Sequence, residues 1–176
     1  MTITRATGHY VRKDDGLYLQ FDRLFRAPIE DVWYSLTNPT AMQAWIGTYT
    51  GLPSTGGVRF RMSGEDAEWQ NASILECDAP HRFRADVGEG DAAVRVFCHL
   101  REAGGMTTLT LGQRLQSGAD AASVGPGWDY YLDRFAAVRA GRALPEWTDY
   151  DPGLVDTYRR LHVPAPATAT ATEPGR

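Results

Sequence analysis

The chain has only two cysteines, Cys77 and Cys98, well separated in sequence. That excludes a disulfide framework and a cysteine-rich zinc site, and both are expected as buried, reduced thiols. Lys13 is the only lysine, so the positive charge is almost all arginine. Long apolar runs are absent as well. The opening MTITRATGHYVRKDD has no stretch of signal-peptide length, and nowhere do about 18 apolar residues follow one another. A soluble, cytoplasmic protein without membrane insertion is expected. The formal net charge of −4 and a pI near 5.5 argue against a nucleic-acid or anionic-membrane partner.

Catalytic signatures are missing too. There is no HExxH, nucleophile elbow or phosphate loop. His9, His81, His99 and His162 show no metal-ligand spacing, so no metal or cofactor is expected. His99 falls on an outward register beside Arg95, and Glu65, Asp66 and Glu68 cluster as a solvated face. What is present is ordinary globular material: 176 residues, 43% apolar and 23% charged, enough for one domain with a real core.

Hydrophobic periodicity orders that material. Residues 1–16 form a weakly ordered N-terminal segment that frays or adds a weak edge strand. The first clear strand, 17–26, turns Leu17, Leu19 and Phe21 to one face. Pro28 then suits the start of a short helix with Glu30 and Asp31 in its first turn and a stripe of Ile29, Val32, Trp33 and Leu36. Asn38-Pro39 caps and starts a second short helix, whose apolar face is Met42, Trp45 and Ile46 and whose end is Gly47.

After turn-rich 51–57 the period becomes two. The inward rows are Val58, Phe60 and Met62, then Phe83, Ala85 and Val87, then Val94, Val96, Cys98 and Leu100, and finally Leu109, Leu111, Gln113 and Leu115. Short loops between them, including the Gly104-Gly105 hairpin, imply an antiparallel meander. A long helix begins at Gly125-Pro126 and ends at Gly141, with a stripe of Trp128, Tyr131, Leu132, Phe135 and Val138. Buried fully, each of these large side chains contributes roughly 1.5–3 kcal/mol, which calls for a concave partner surface. An extension from 142 carries Trp147, Tyr150 and Tyr158 and a short helix near 154–161. The Pro/Ala/Thr-rich residues 164–176 read as a disordered tail.

Four segments carry a family resemblance: FRAPIEDVWYSLTNPTAMQAWIG (25–47), ASILECDAPHRFRADV (72–87), MTTLTLGQRL (106–115) and GPGWDYYLDRFAAVRAG (125–141). Pro28, Val32-Trp33, Asn38-Pro39, Trp45-Ile46 and Gly127-Trp128 match the family pattern. The chain resembles the START-like (SRPBCC) helix-grip superfamily, and within it the bacterial homologues of the activator of the 90-kDa heat-shock-protein ATPase. The resemblance covers 17–163 and implies an α+β fold in which a curved antiparallel sheet wraps one long C-terminal helix. Ala72 stands where the family often has glycine, narrowing any cavity, and Val87 stands where relatives carry an aromatic, enlarging it.

In such a fold the gap between helix and sheet is a mostly apolar pocket. The candidate ligand-binding residues are Phe60, Met62, Phe83, Val96, Leu111 and Gln113 from the sheet and Trp128, Tyr131, Leu132 and Phe135 from the helix, with Trp45 and Trp69 at the rim. Gln113 is polar in an apolar row, and either orients a ligand or bonds a loop backbone. Tight packing of the same residues as solid core is the competing reading. No catalytic residue is singled out, and an enzyme is not favoured.

Three functions fit. The first is a binding protein for a hydrophobic or amphipathic small molecule, monomeric or homodimeric. The second is a polyketide cyclase- or aromatase-like enzyme using Gln113, Tyr131 and Asn71, which two or more titratable groups inside the pocket would favour. The third is a protein-interaction, co-chaperone-like module. The extra N-terminal domain of full-length eukaryotic activators is not seen here, so co-chaperone activity is not expected.

Overall fold

The computed structural model describes residues 4–116 and 121–164. The tail expected to be disordered lies outside the described residues from 165 onward. Eight strands alternate with few helices: β1 (His9–Lys13), β2 (Gly16–Phe25), α1 (Ile29–Thr37), α2 (Pro39–Met42), β3 (Gly47–Thr50), β4 (Gly57–Met62), β5 (Gln70–Asp78), β6 (Arg82–Val87), β7 (Val94–Ala103), β8 (Met106–Arg114), α3 (Ala121–Arg139) and α4 (Val155–Arg159). They form one antiparallel sheet in the order β1-β2-β8-β7-β6-β5-β4-β3. From β3 onward each strand pairs with the next in sequence, whereas β2 pairs with β8. The α1–α2 pair therefore carries the chain from the β2 side of the sheet to its far edge. Fully buried Leu19, Phe21, Leu109, Leu132 and Phe135 mark the core where the sheet meets α3. This is the helix-grip arrangement.

Local chemistry explains the helix starts. The Asn38 side chain accepts from the backbone N–H groups of Thr40 and Ala41 at 3.0 and 3.1 Å, and Pro39 occupies the first helical position. Pro28 is the residue before α1 and offers no side-chain cap. Glu102 of β7 supplies it instead, accepting from the Ile29 N–H at 2.8 Å.

Several bounds differ from the expected ones, each for a physical reason. β1 is an ordered edge strand, paired residue for residue with β2 from His9↔Gln20 to Lys13↔Gly16. β3 was invisible to pattern because four residues are too few to show alternation. α3 begins at Ala121, so Pro126 lies inside it rather than at its start. A proline there removes one helix hydrogen bond, and this first part of the helix is nonetheless buried at Ala121, Gly125 and Pro126. Val138, expected on the gripping stripe, is 37% exposed, and beyond Phe135 it is Arg139 that reaches β2, over the Phe25 ring. The outer face of the sheet also has its own small cluster. Tyr18 and Phe97, on outward registers, are nearly fully buried with ring centroids 5.5 Å apart, and Lys13 lies over the Phe97 ring.

Candidate ligand cavity

Where the first half of α3 stands off the sheet, a cavity of about 590 Å³ remains. The size is within the range of small-molecule sites, roughly 300–1,000 Å³. Three walls bound it. The floor is the inward row of β4 to β8, the roof is α3 through Ser123, Val124, Gly127, Trp128 and Tyr131, and the side is α1, α2 and β3 through Trp33, Met42, Trp45 and Tyr49. Two arginines of α3 hold the side wall in place. Arg134 donates to the Trp45 carbonyl at 3.0 Å, and Arg139 donates to the Ser35 hydroxyl at 2.6 Å while stacking over Phe25 and Phe135. Burial lowers the Arg139 pKa from its ordinary value, with Asp31 partly opposing.

Of the residues singled out from sequence, Trp45, Phe60, Met62, Phe83, Val96, Leu111, Gln113, Trp128 and Tyr131 line the cavity. Three do not. Leu132 and Phe135 are sealed in the core, where Phe135 packs edge-on against Trp45 at 4.9 Å and Phe25 at 5.3 Å. Trp69 is on the opposite side of the sheet. It precedes β5, whose first residue Gln70 faces the cavity, and its indole lies against the outward side chains of β4, with Arg59 and Arg61 over the ring at 6.0 and 4.8 Å. Trp45 is wall and core rather than exposed rim, its indole N–H donating to the Ser35 carbonyl at 3.1 Å.

Gln113 bonds neither a loop backbone nor solvent alone. Its Oε1 accepts from the Trp128 indole N–H at 2.6 Å, joining the central strand to the helix roof. Tyr49 donates to the Thr37 carbonyl at 2.7 Å. The Tyr131 hydroxyl has no hydrogen-bond partner among the described residues. Burial raises the pKa of both tyrosines, helped at Tyr49 by Cys77 and at Tyr131 by Tyr130, so both remain protonated at neutral pH.

Tyr49 and Cys77 belong to the cavity although sequence did not point to them. Tyr49 sits on the strand too short to read. Cys77 sits beyond a register shift in β5, where Ile74 pairs with Ala85 but Glu76 with Arg84 and Cys77 with Phe83. The irregularity turns both Ile74 and Cys77 inward, three residues apart, which strict alternation forbids. It also corrects the expectation for this thiol: Cys77 is exposed where the cavity meets solvent, and only Cys98 is buried. Burial drives the Cys98 pKa far up, leaving an inert thiol. Asn71, considered as a polar pocket group, instead faces outward and donates to Glu89 at 2.5 Å.

Comparison with known proteins adds to this geometry. The family model for Activator of Hsp90 ATPase homolog 1-like protein matches residues 26–140. CalU16 from Micromonospora echinospora superposes with a TM-score of 0.71 at 23% identity, covering 91% of this chain and 98% of that one. The protein encoded by gene BPP1335 of Bordetella parapertussis gives 0.69 at 22% identity, covering 93% and 97%. DynU16, a protein of the dynemicin biosynthetic locus, gives 0.62 at 20% identity, covering 73% of this chain and 49% of that one. At these identities the likeness is one of fold. A search of the curated proteins found no match.

Proposed function

From the premise that this chain belongs to the Activator of Hsp90 ATPase homolog 1-like family, with its START-like fold, we propose that it binds a hydrophobic small molecule in the gap between sheet and α3. The observation that carries the reading is the cavity of about 590 Å³ with a predominantly apolar wall. A gap this large between packed elements is unusual, and its apolar wall is unfavourable to leave in contact with water. Occupation by an apolar ligand covers that wall. Native mass spectrometry of freshly purified protein tests the reading directly. A co-purified mass removed by denaturation is expected. No retained molecule, together with no thermal stabilisation by any member of a hydrophobic panel, would sink it.

A cyclase-like enzyme is the second reading, favoured by Tyr49, Cys77 and Tyr131 lining the same space. Both tyrosines are held protonated, and Tyr131, whose hydroxyl is uncommitted where Tyr49 already donates to Thr37, serves as a proton donor rather than a base. Among the described residues no carboxylate or imidazole lines the wall, which leaves general-base work unassigned. A bound molecule that loses water over time in wild type and not in Tyr131→Phe would promote the enzyme over the binding protein.

A further inference from the structure

Gln113 sits in the middle of the sheet, flanked across the ladder by Leu19 and Val96. A primary amide in such a row costs free energy unless its polar atoms are engaged. The Trp128 indole engages one end only. An indole N–H is a donor and never an acceptor, so the bond at 2.6 Å fixes which end of the amide faces it: Oε1 toward Trp128, Nε2 away. Among the described residues Nε2 has no protein acceptor, and no side-chain nitrogen or oxygen sealed from solvent lacks a hydrogen bond. Nε2 therefore opens onto the cavity that Gln113 lines. Tyr131, one helical turn beyond Trp128 on the same face of α3, presents a second uncommitted O–H there.

The described wall residues include no Asp, Glu, Lys, Arg or His. A carboxylate or ammonium entering would lose hydration with no counter-ion to compensate. Flat side chains from Trp33, Phe60, Phe83, Trp128 and Tyr131 offer broad faces to a ring system.

Resting on the ligand-binding reading above, we propose that the cavity selects neutral, ring-bearing apolar molecules that carry a carbonyl-type acceptor, with Gln113 Nε2 as the specificity-determining donor and Tyr131 as the second. Hydrocarbons of the same shape bind less well, and carboxylates are excluded.

Three tricyclic probes of nearly equal size separate the possibilities: fluorene, 9-fluorenone and 9-fluorenone-4-carboxylate, titrated calorimetrically into the full chain at neutral pH. The ketone is expected to bind about tenfold more tightly than the hydrocarbon, the difference one buried hydrogen bond makes. The carboxylate is expected to bind at least about a hundredfold more weakly than the ketone. Gln113→Met retains fluorene binding and loses most of the ketone's advantage, and Tyr131→Phe loses a smaller part. Equal affinity for ketone and hydrocarbon, or a carboxylate that binds as well as the ketone, overturns the selectivity while leaving the pocket reading intact. If none of the three binds, the selectivity for ring-bearing ketones is overturned, and the pocket reading is then decided by the mass-spectrometric and thermal-shift result alone.

Discussion

Asp129 is a fully buried carboxylate on α3, and almost everything that orders the two ends of the chain converges on it. It accepts from the Thr7 N–H at 3.1 Å, from the Thr7 and Tyr158 hydroxyls, and from Arg23 at 3.1 Å. Arg23 in turn reaches Asp133, and Tyr158 also accepts from the Gly8 N–H at 2.9 Å. Burial, and then the Asp129 charge, raises the Tyr158 pKa far above its ordinary value, so the phenol remains a donor. Asp129→Ala leaves Arg23 without its main partner and is expected to cost about 3–5 kcal/mol in urea unfolding. Hydrogen exchange at Thr7 and Gly8 should rise at the same time. A loss below about 1 kcal/mol would mean that the buried charge is not the anchor described here. Nothing in local sequence marks this residue: an aspartate beside a tryptophan reads as the wet side of a helix, and its partners lie far off in the chain, Tyr158 by 29 residues and Thr7 and Arg23 by more than a hundred.

A second residue-scale prediction concerns pH. Arg95 grips Asp86 with two hydrogen bonds of 2.8 and 2.9 Å, and this holds the Asp86 carboxyl below its ordinary value of 3.8 despite partial burial. Asp15 is also lowered: its desolvation acts upward, but bonds from Tyr18 and Arg95 outweigh it. For a depressed carboxylate, the stabilisation is fully present above the unfolded pKa and is lost as pH falls through the folded one. Asp86→Asn should therefore be less stable than wild type by about 1 kcal/mol at pH 7, since both groups are partly exposed and screened. The gap should stay constant down to about pH 5 and close below about pH 4. Thermal melts across that range check it, and a gap that widens in acid would contradict the assignment.

At the scale of elements, α3 contains two glycines with opposite surroundings. A Cβ on Gly125 would lie 2.5 Å from the ring carbons of Tyr158, so this glycine exists for the close approach of the C-terminal segment to the helix. A Cβ on Gly127 would meet nothing within 4 Å, because that face looks into the cavity. Replacing a helical glycine by alanine normally gains about 0.5–1 kcal/mol. Gly127→Ala should realise that gain. Gly125→Ala should instead lose about 1–3 kcal/mol through overpacking and should loosen α4. Denaturant midpoints of the two variants give the answer, and equal shifts would refute the packing difference.

The same scale shows what was readable beforehand. Strands β4, β6, β7 and β8 alternate cleanly because one face is dry, and their inward rows are visible in the chain itself. Asn38-Pro39 is visible for the same kind of reason, as a cap whose chemistry is local. Trp69, Cys77 and Tyr49 were misplaced or missed where the period breaks: before a strand begins, past the irregularity at Ile74/Glu76, and on a four-residue edge strand. The Gln113–Trp128 bond joins elements whose register against each other no local pattern encodes.

For the whole molecule the question is whether the gap in the grip is a designed space or slack in the packing. Ala72 and Val87 bear on it together, since they face each other across β5 and β6 and both line the cavity. Both are small side chains, so the wall is recessed at this point of the sheet. Val87→Phe adds apolar bulk into that volume. If the space is as described, the new ring meets no backbone and gains dispersion contacts the valine lacks, so the unliganded protein should keep its melting temperature or gain a few degrees. Ligand occupancy in native mass spectrometry should fall by at least about tenfold, because the same atoms now compete for the site. The pairing of the two results is what matters. A ring forced into a full core would lower stability by about 1–3 kcal/mol and say nothing about ligands. A ring that settles without cost while displacing the bound molecule can do so only if the sheet and α3 hold a real space between them, and that space is where the ligand resides.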